Sequence, residues 1–310
     1  MPTISVVIPA YNAERTVLET VESVQKQTFS DLEIIVIDDG STDKTKELLQ
    51  GVTDERLKIF SYENSGVATA RNRGISDAEG EFIAFLDADD LWTPDKLELQ
   101  LIALQQHPEA GVAYSWNYFF IDGQEDISPG KAFFFEGDVY PQLLVENFLA
   151  NGSNPLIRTK IIELVGEFDS TFSHCADWDF YLRLAASCPF VVVLKHQVFY
   201  RQSFGSMTSQ TSKIDGIEKQ VLTMLEKAYR MAPPEYQYLR NQSLAWAYEY
   251  CTQQYLQYTT DISGVNKAGQ KLWKAIRLHP QILLEGYAQG LIRWFIKKSV
   301  LLRLPSRKSY

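Results

Sequence analysis

Short apolar runs alternate with longer amphipathic segments along the first hundred residues. Each apolar run stops at polar or turn-forming residues, as buried strands do; the four runs are 4–8, 33–37, 57–60 and 82–86. Apolar residues at helical spacing predict helices over 14–27 and 66–78, another capped by Ser41 or Thr42, and one opening at Pro94. This alternation predicts an α/β fold with a mainly parallel sheet and helices on both faces.

The rhythm changes after about residue 110. The later part of the chain predicts strands at 114–120, 133–135 and 190–194, a helix over 177–187, and a polar loop or linker over 202–212. Beyond residue 214 the pattern is helical throughout. We therefore expect an α/β domain over 1–213 and a helical C-terminal region over 214–310.

Polar side chains collect where the predicted strands end. They are Tyr11 and Asn12 after the first strand, Asp38 and Asp39 after the second, and Asp87, Asp89 and Asp90 after the fourth. Ligands of such sheets bind beyond the carboxyl ends of the strands. The strand ends therefore predict a binding site without the help of any motif.

The acidic residues after the fourth strand allow two interpretations. Like charges this close raise each other's pKa unless a cation or hydrogen-bond donors compensate. An Asp-x-Asp loop such as Asp87–Asp89 can direct two carboxylates at one hard ion, and Mg²⁺ or Mn²⁺ often bridges carboxylates to substrate phosphates. The same residues also suit a solvated acidic turn that caps the helix near Pro94.

Two other acidic pairs are equally ambiguous. Either Asp38 or Asp39 can cap the following helix, and the other can then accept the imide hydrogen of a uracil-type base. Asp177 and Asp179 stand at the start of a predicted helix, where the helix dipole stabilises a carboxylate. The alternative is a general base beside the water-excluding ring of Trp178.

Composition and charge narrow the functional classes. With 45% apolar and 22% charged residues, the 310-residue chain has the balance of a folded globular protein. A formal charge of -9 argues against a nucleic-acid partner. Three cysteines without a paired spacing favour a reducing, cytoplasmic compartment. No signal peptide, bilayer-spanning run, Walker A, GxSxG or GxGxxG motif is recognisable in the sequence.

The positive charge is concentrated at the end of the sequence. Residues 291–310 contain six Lys or Arg and no Asp or Glu, together with Trp294 and Phe295. Such a segment is a candidate peripheral contact with the anionic inner face of a membrane. Its apolar and basic positions do not separate cleanly on a helical wheel, which favours a helix packed on the body with a frayed basic end.

Six motifs, in order along residues 3–210, resemble those of the family 2 inverting glycosyltransferases of GT-A fold. They are 6–12 (VVIPAYN), 37–43 (IDDGSTD), 65–72 (SGVATARN), 86–90 (LDADD), 166–169 (GEFD) and 177–184 (DWDFYLRL). Each motif is modest by itself, whereas six in this order are specific. The resemblance implies a GT-A-type sheet domain in which 1–100 forms the nucleotide-sugar binding half and 101–213 the acceptor half.

The resemblance also implies roles for single residues. The implied nucleotide-binding residues are Pro9, Tyr11, Asp39, Arg71 and Asp87. Among these, Tyr11 would stack on the base and Asp39 would take the imide hydrogen. Arg71 would reach the base or the diphosphate, and Asp87 would face the ribose or an outer-shell water.

The remaining implied residues concern the metal, the reaction and the donor phosphates. Asp89 would hold Mg²⁺ or Mn²⁺ beneath the diphosphate, and Asp177 would be the catalytic base that deprotonates the acceptor hydroxyl. Arg201 and Ser206 are candidate phosphate or loop contacts, in a loop that could close over the donor.

Two positions depart from the family pattern. Ala176 stands where the family often has Glu before the base, which implies a changed orientation of Asp177 or of the acceptor. Gln202 and Ser203 stand where a histidine often follows the Tyr-Arg pair, which leaves metal binding to Asp89 and water.

The sequence therefore predicts a hexosyltransferase-type enzyme. We expect inverting, metal-dependent transfer from a nucleotide-diphosphate sugar, a UDP-sugar above all, to a saccharide or lipid-linked acceptor in cell-surface polysaccharide or glycolipid assembly. The two departures motivate an alternative, a non-catalytic nucleotide-sugar-binding protein. A nucleotidyltransferase is disfavoured, because 9–15 (PAYNAER) does not resemble the Gly-rich loop that such enzymes use.

Overall fold

The computed structural model describes residues 1–122, 126–202 and 211–303, with the backbone alone for 211–213. The chain divides into two compact units. The first comprises Met1–Leu143 and Asn147–Gln202, and the second Leu144–Glu146 and Ser203–Tyr310.

Strands and helices alternate through the described residues up to Gln202. The strands are β1 (Ile4–Ala10), β2 (Leu32–Asp38), β3 (Leu57–Ser61), β4 (Phe82–Phe85), β5 (Leu91–Trp92), β6 (Val112–Ile121), β7 (Ile127–Pro129), β8 (Leu156–Arg158) and β9 (Phe190–Gln202). The helices are α1 (Val17–Gln25), α2 (Thr45–Gln50), α3 (Val67–Asp77), α4 (Lys96–Gln106), α5 (Tyr140–Val145), α6 (Thr159–Val165) and α7 (Ala176–Ala185).

The strands form one sheet in the order β3-β2-β1-β4-β8-β6-β9-β5, with β7 paired to β6. The pairs among β1, β2, β3 and β4 are all parallel. Strand β8 runs antiparallel between β4 and β6, whereas β6 and β9 are parallel. The predicted mainly parallel sheet with flanking helices is confirmed.

Burial explains the apolar runs of the central strands. All seven residues of β1 and all seven of β2 are buried, as in a strand covered on both faces. Val17, Val21 and Val24 of α1 belong to the same core as Ile4 and Ile34. This core holds the carboxyl ends of β1, β2 and β4 side by side.

The prediction of a strand at 133–135 is wrong. The phenolic hydroxyl of Tyr114 donates to the carbonyls of Phe133 (3.2 Å) and Phe135 (2.9 Å), and the Trp116 indole donates to Phe133 (2.8 Å). These side chains of β6 occupy backbone groups that a neighbouring strand would otherwise use. The three phenylalanines therefore lie in an irregular segment outside the sheet.

The predicted cap of α2 is also wrong, because α2 begins only at Thr45. The carboxylate of Asp43 accepts the Thr45 N–H (2.9 Å). Ser41 and Thr42 bind Asn12 instead: the Asn12 N–H donates to Ser41 Oγ (3.0 Å), and the Thr42 N–H donates to Asn12 Oδ1 (2.8 Å). These bonds tie the loop after β1 to the loop after β2.

The second unit is helical in its described part, with α8 (Thr211–Met231), α9 (Arg240–Tyr258), α10 (Ile262–Leu278) and α11 (Gly286–Arg303). Short 3₁₀ helices, Pro234–Leu239 and Pro280–Leu284, precede α9 and α11. None of the helices in the described ranges has the length and apolar character needed to cross a bilayer. The predicted loop 202–212 lies mostly outside the described residues; Gln202 ends β9 and Thr211 begins α8.

Candidate active site

The loops after β1 and β2 form one end of the candidate site. Pro9 is buried within β1 and pairs with Ile37 of β2. Tyr11, two residues later, is 52% exposed, so its ring is open to solvent. Asn12 adopts a left-handed conformation (φ 48°), one that Asn tolerates better than most residues. The structure therefore presents an accessible aromatic ring directly after β1.

Asp39 is buried and binds the start of α3. Its carboxylate accepts the N–H groups of Ser65 (3.0 Å) and Gly66 (2.8 Å) and pairs with Arg73 (2.9 Å). Its neighbour Asp38 accepts the Ser41 N–H (3.0 Å). Both carboxylates thus serve loop structure, and neither caps α2 as the sequence suggested.

Arg71 of α3 forms the centre of the charge cluster. It is 4% exposed, and its Nη2 donates to Asp87 Oδ1 at 2.6 Å. Within the described residues, its Nε is buried and has no hydrogen-bond partner. A buried, unused N–H of a guanidinium is suited to an anionic ligand.

Asp177 lies at the first turn of α7 and faces this cluster. Its carboxylate accepts a hydrogen bond from Asn147 Nδ2 (3.2 Å). Burial raises the pKa of Asp177, the nearby charge of Arg71 and the Trp178 N–H lower it, and the charge of Asp87 raises it. The same two carboxylates, Asp87 and Asp177, raise the pKa of Arg71 against the opposing effect of desolvation. The structure thus brings Arg71, Asp87 and Asp177 together.

Asp89 joins the cluster through Asp87. Desolvation, and then the charge of Asp87, raise the pKa of Asp89 to about 6. Next to it, Asp90 is fully buried; desolvation and the charge of Asp89 raise its pKa well above the ordinary range. Asp87 is therefore a common electrostatic neighbour of Asp89 and Asp177.

Arg201 holds the acidic loop from the far end of β9. Its Nε donates to the Asp89 carbonyl (2.8 Å), and its own N–H donates to Asp90 Oδ1 (3.0 Å). Its two terminal nitrogens bind Glu19 (2.8 Å) and Asp122. These bonds give Arg201 a contact with the acidic loop. They use three of the five guanidinium N–H groups, and the phosphate contact stays a prediction. Ser206, the other candidate, lies outside the described residues.

The second acidic residue of α7 is structural. Asp179 is buried and pairs with Arg183 at 2.9 Å. Trp178 is buried as well, and its indole donates to the Leu143 carbonyl (2.7 Å). Ala176, where the family often has an acid, is buried beside them. The other carboxylate that opens α7, Asp177, interacts with the charges of Arg71 and Asp87.

The donor set fits a hard divalent ion that is shared with a ligand. No group of three or more potential metal-ligating side chains occurs in the part of the chain that the structure describes. Asp89 nevertheless offers a partly exposed carboxylate beside the like charge of Asp87. Mg²⁺ is commonly held by one or two carboxylates together with substrate phosphates and water. The residues present therefore suit such an ion and not a site made by protein ligands alone.

Sequence reasoning missed the contribution of the segment 147–154. Asn147 contacts Asp177, and Ser153 contacts the acidic loop through the Asp87 N–H (3.0 Å) and Asp90 Oδ2 (2.5 Å). The Asn-Gly-Ser-Asn run at 151–154 suits either a lining of the acceptor side or a plain turn, and no local pattern connects it to residues some 60 positions earlier.

Comparison with known proteins supplies the family. The profile described as "Glycosyltransferase like family 2" matches residues 5–255. An Escherichia coli relative named UDP-Glc:alpha-D-GlcNAc-diphosphoundecaprenol beta-1,3-glucosyltransferase WfgD is 31% identical over 221 residues, covering 68% of this chain and 81% of that protein. An uncharacterized glycosyltransferase of Rickettsia felis is 41% identical over 144 residues, 46% of this chain. That match spans only 23% of the Rickettsia protein.

Solved structures share the fold at low sequence identity. Staphylococcus aureus TarS 1-349 in complex with UDP-GlcNAc superimposes with a TM-score of 0.64 at 17% identity, covering 96% of this chain and 89% of TarS. The mannosyltransferase PcManGT of Pyrobaculum calidifontis, in complex with GDP-Man and Mn²⁺, gives 0.59 at 18% identity, covering 98% and 88%. At these identities the likeness concerns the fold alone.

Fold and profile agree with the six ordered motifs and with the acidic cluster at the carboxyl edge of the sheet. The chain belongs to the glycosyltransferase family 2-like proteins and has a GT-A-type fold.

Proposed function

We propose that this protein transfers a sugar from a UDP-sugar to an acceptor hydroxyl, with inversion and with a divalent metal ion, in the assembly of a cell-surface polysaccharide or glycolipid. The observation that carries the proposal is the position of Asp87. It pairs with Arg71, and its charge acts on both Asp89 and Asp177. A candidate metal ligand and a candidate base therefore share one charged cluster.

Asp177 is the proposed catalytic base. Its carboxylate takes the proton of the acceptor hydroxyl while that oxygen attacks the anomeric carbon from the face opposite the leaving diphosphate. The new bond joins the acceptor oxygen to the anomeric carbon, and the electron pair of the broken bond leaves with the diphosphate. Asn147 orients the carboxylate through its 3.2 Å hydrogen bond. One displacement of this kind inverts the configuration.

The nucleotide is proposed to lie over the loops that follow β1 and β2. The exposed ring of Tyr11 stacks on the base, beside Pro9 at the end of β1. Asp39 takes the imide hydrogen of the base in addition to its bonds within the chain. The Nε of Arg71 is buried and lacks a hydrogen-bond partner within the described ranges, which suits a diphosphate oxygen.

Asp89 is the proposed metal ligand. Asp89 would hold Mg²⁺ or Mn²⁺, which would offset negative charge on the leaving diphosphate. Asp87 keeps its ion pair with Arg71 and faces the ribose or an outer-shell water. The Mn²⁺ in the PcManGT complex supports this proposal at the level of the shared fold.

The names of the relatives support the donor and acceptor classes. TarS binds UDP-GlcNAc, and the name of WfgD specifies UDP-Glc and a diphosphoundecaprenol acceptor. A Bacillus subtilis relative is named for teichuronic acid biosynthesis. A UDP-sugar and a saccharide or lipid-linked acceptor are therefore the proposed substrates. The catalytic domain would extend over 1–213, with its donor half in 1–100, and the helical region over 214–310.

The test combines catalysis with binding. UDP release is measured with several UDP-sugars and GDP-mannose, with the metal varied, for the wild type and for Asp177→Asn. We expect Asp177→Asn to abolish transfer while keeping calorimetric affinity for UDP and Mn²⁺. Asp54→Asn, which changes a carboxylate that pairs with Arg56 outside the cluster, should keep wild-type turnover.

Two outcomes would contradict the proposal. Wild-type turnover in Asp177→Asn would reject the base assignment. Tight UDP-sugar binding without hydrolysis or transfer by the wild type, with any acceptor preparation, would favour the non-catalytic binder.

A peripheral membrane contact through 291–310 belongs to the same proposal. On the inner side of α11, Leu291 and Phe295 pack into the core of the second unit, and Lys298 Nζ donates to the Leu256 carbonyl (2.6 Å). From residue 291 to residue 303, its exposed residues are either apolar or basic: Arg293, Trp294, Ile296, Lys297, Val300, Leu301, Leu302 and Arg303. A face of this composition suits an anionic lipid surface.

Sedimentation with vesicles tests the contact. The double variant Arg293→Glu/Lys297→Glu should lose binding to anionic vesicles, whereas neutral vesicles should bind neither protein. Arg230→Glu/Arg277→Glu changes two exposed basic residues of α8 and α10 and serves as the matched control. Equal sedimentation of the two double variants would reject the lipid contact and leave packing as the role of α11.

A further inference from the structure

We propose that Ser153, with the turn Asn151–Asn154 that carries it, is a positioning element that sets the direction of the acidic loop 87–90 beneath the bound donor. The inference rests on the function proposed above. It concerns a segment that contributes no carboxylate and no base. Ser153 is a positioning residue because it acts through Asp87 and Asp90.

The hydroxyl of Ser153 binds the acidic loop at two points. It accepts the N–H of Asp87 at 3.0 Å and donates to Asp90 Oδ2 at 2.5 Å. Ser153 is fully buried, so water does not replace either bond. Arg201 adds two bonds, to the Asp89 carbonyl and to Asp90 Oδ1. With the two bonds from Ser153, four hydrogen bonds hold the loop. The backbone and Asp90 are thereby fixed, and the carboxylate of Asp89 is left for a ligand.

The turn is itself anchored, so it can transmit position. Asn151 Oδ1 accepts the Ser153 N–H (3.0 Å), and Asn151 Nδ2 donates to Asn117 Oδ1 (3.0 Å). Asn154 Nδ2 donates to the same Asn117 oxygen (3.1 Å). Tyr181, one helical turn beyond Asp177 in α7, donates its hydroxyl to the Asn151 carbonyl (2.8 Å). One turn therefore contacts both the acidic loop and the helix that carries the proposed base.

Gly152 brings the same turn against the charge cluster. A methyl group at this position would lie 2.2 Å from Arg71 Nη2 and 3.3 Å from Asp87 Oδ2. The Gly152 backbone therefore packs directly against the ion pair of Arg71 and Asp87. A side chain at 152 has to displace the guanidinium, because the neighbouring backbone is held by the asparagine bonds.

The chain offers a matched control in Ser115. It is also buried, and its hydroxyl accepts one hydrogen bond, from Gln100 Nε2 (3.2 Å). It touches the same asparagine network through its backbone but makes no bond to the loop 87–90. Loss of either serine hydroxyl removes buried hydrogen bonding. Of the two losses, that of the Ser153 hydroxyl breaks bonds to the acidic loop.

The experiment compares Ser153→Ala, Gly152→Ala and Ser115→Ala by amide hydrogen exchange and by calorimetry of UDP with Mn²⁺. Ser153→Ala should speed exchange in peptides covering 86–91 by about 10-fold or more and weaken Mn²⁺-dependent UDP affinity by about 10-fold. Gly152→Ala should weaken UDP affinity while leaving exchange at 86–91 closer to the wild type. Ser115→Ala should match the wild type in both measurements.

The outcomes separate this inference from the proposed function. Equal exchange at 86–91 in Ser153→Ala and Ser115→Ala would overturn the positioning role, whatever the enzyme does. Unchanged Mn²⁺-dependent affinity in both Ser153→Ala and Gly152→Ala would overturn it as well. If the wild type neither binds UDP nor releases it, the proposed function fails, and the exchange comparison still decides whether Ser153 holds the loop.

Discussion

Two acidic loops leave the carboxyl edge of the sheet, one after β2 and one after β4. In the first, Asp38 and Asp39 are 2% and 3% exposed, and backbone N–H groups or Arg73 bind both carboxylates. In the second, Asp89 is partly exposed, and no other side chain in the described ranges is hydrogen-bonded to its carboxylate. Desolvation, and then the charge of Asp87, raise the pKa of Asp89 to about 6. Similar sequences thus produce one loop in which both carboxylates are hydrogen-bonded and one in which the Asp89 carboxylate is left for a ligand.

The difference indicates which acidic residues maintain the fold and which can accept a ligand. A buried carboxylate with several donors stabilises the folded state, and its removal leaves those donors unpaired. A carboxylate held among like charges is instead unfavourable until a cation arrives. Residue type and burial alone do not distinguish the two cases, since the number of donors decides.

Among changes that compare the two loops, the largest expected effect is the loss of catalysis in Asp89→Asn. Loss of the metal-binding charge should lower kcat by roughly 10²–10³-fold, because charge on the leaving diphosphate is no longer offset. The melting temperature should stay close to that of the wild type or rise, since one of the crowded charges is removed. Steady-state UDP release and thermal unfolding measure the two quantities. A large fall in melting temperature would place Asp89 with the saturated carboxylates.

Asp39→Asn should lower the stability of the fold, which Asp89→Asn should not. The amide retains one acceptor oxygen for the N–H groups of Ser65 and Gly66 but loses the ion pair with Arg73. We expect the free energy of unfolding to fall by about 2 kcal/mol, as for hydrogen bonds to a buried charge. Urea unfolding measures this change. If Asp39→Asn and Asp89→Asn had equal free energies of unfolding, the two carboxylates would not differ in how much they stabilise the fold.

The pH dependence of the reaction tests the coupling of Arg71 to Asp177. Burial raises the pKa of Asp177 above 3.8, and Arg71 partly opposes the rise. The base acts only when deprotonated, so kcat/KM should fall as the pH drops through this raised value, above the range of an ordinary Asp. Arg71→Gln removes this opposing charge and should move the acid limb of kcat/KM to higher pH.

Arg73→Gln is the control for that measurement, because Arg73 pairs with Asp39 and not with Asp177. Its acid limb should coincide with that of the wild type. A limb that stays in place or moves down in Arg71→Gln would show that Arg71 does not act on the base.

The smallest expected effect concerns a buried charge outside both loops. Lys96 is fully buried, its Nζ lies 3.8 Å from the centre of the Trp92 ring, and within the described residues it has no hydrogen-bond partner. Burial lowers its pKa well below 10.5, so unfolding binds a proton, and stability should rise with pH between the lowered value and 10.5.

Lys96→Met keeps the apolar stem and removes the charge. It should raise the free energy of unfolding by about 1 kcal/mol near neutral pH and abolish the gain on raising the pH. Thermal unfolding at neutral and alkaline pH measures both effects. A destabilised Lys96→Met protein would instead show that the contact with Trp92 outweighs the cost of desolvation.

The elements found from sequence are those with a strong periodic signal. β1, β2 and β4 were predicted within two residues, because strands covered on both faces are apolar throughout. β8 has three residues and lies between β4 and β6, and its sequence carries no period of its own. The false strand at 133–135 has a strongly apolar sequence, but Tyr114 and Trp116 occupy its backbone carbonyls.

The residues of the candidate site likewise fall into those that sequence motifs indicate and those that only the structure connects. The six ordered motifs identified the family and pointed to Asp89, Asp177 and Arg71, because motif residues are adjacent in the chain. The sequence indicated Ser153 only as part of a turn or of the acceptor side, since its partner Asp90 is 63 residues away. The sequence left Arg201 as a phosphate or loop contact, and only the structure shows that it binds the Asp89 carbonyl across 112 residues.

The sequence by itself determined the α/β class, the acidic ends of the strands and the family. These features follow from local periodicity and from short motifs, which the chain carries whether or not it is folded. The tertiary structure alone decided which carboxylates are saturated and which remain for a ligand, because the donors that saturate Asp39 and Asp90 come from residues distant in sequence. Hydrogen bonding depends on distance and direction in space, and a linear pattern of residue types specifies neither.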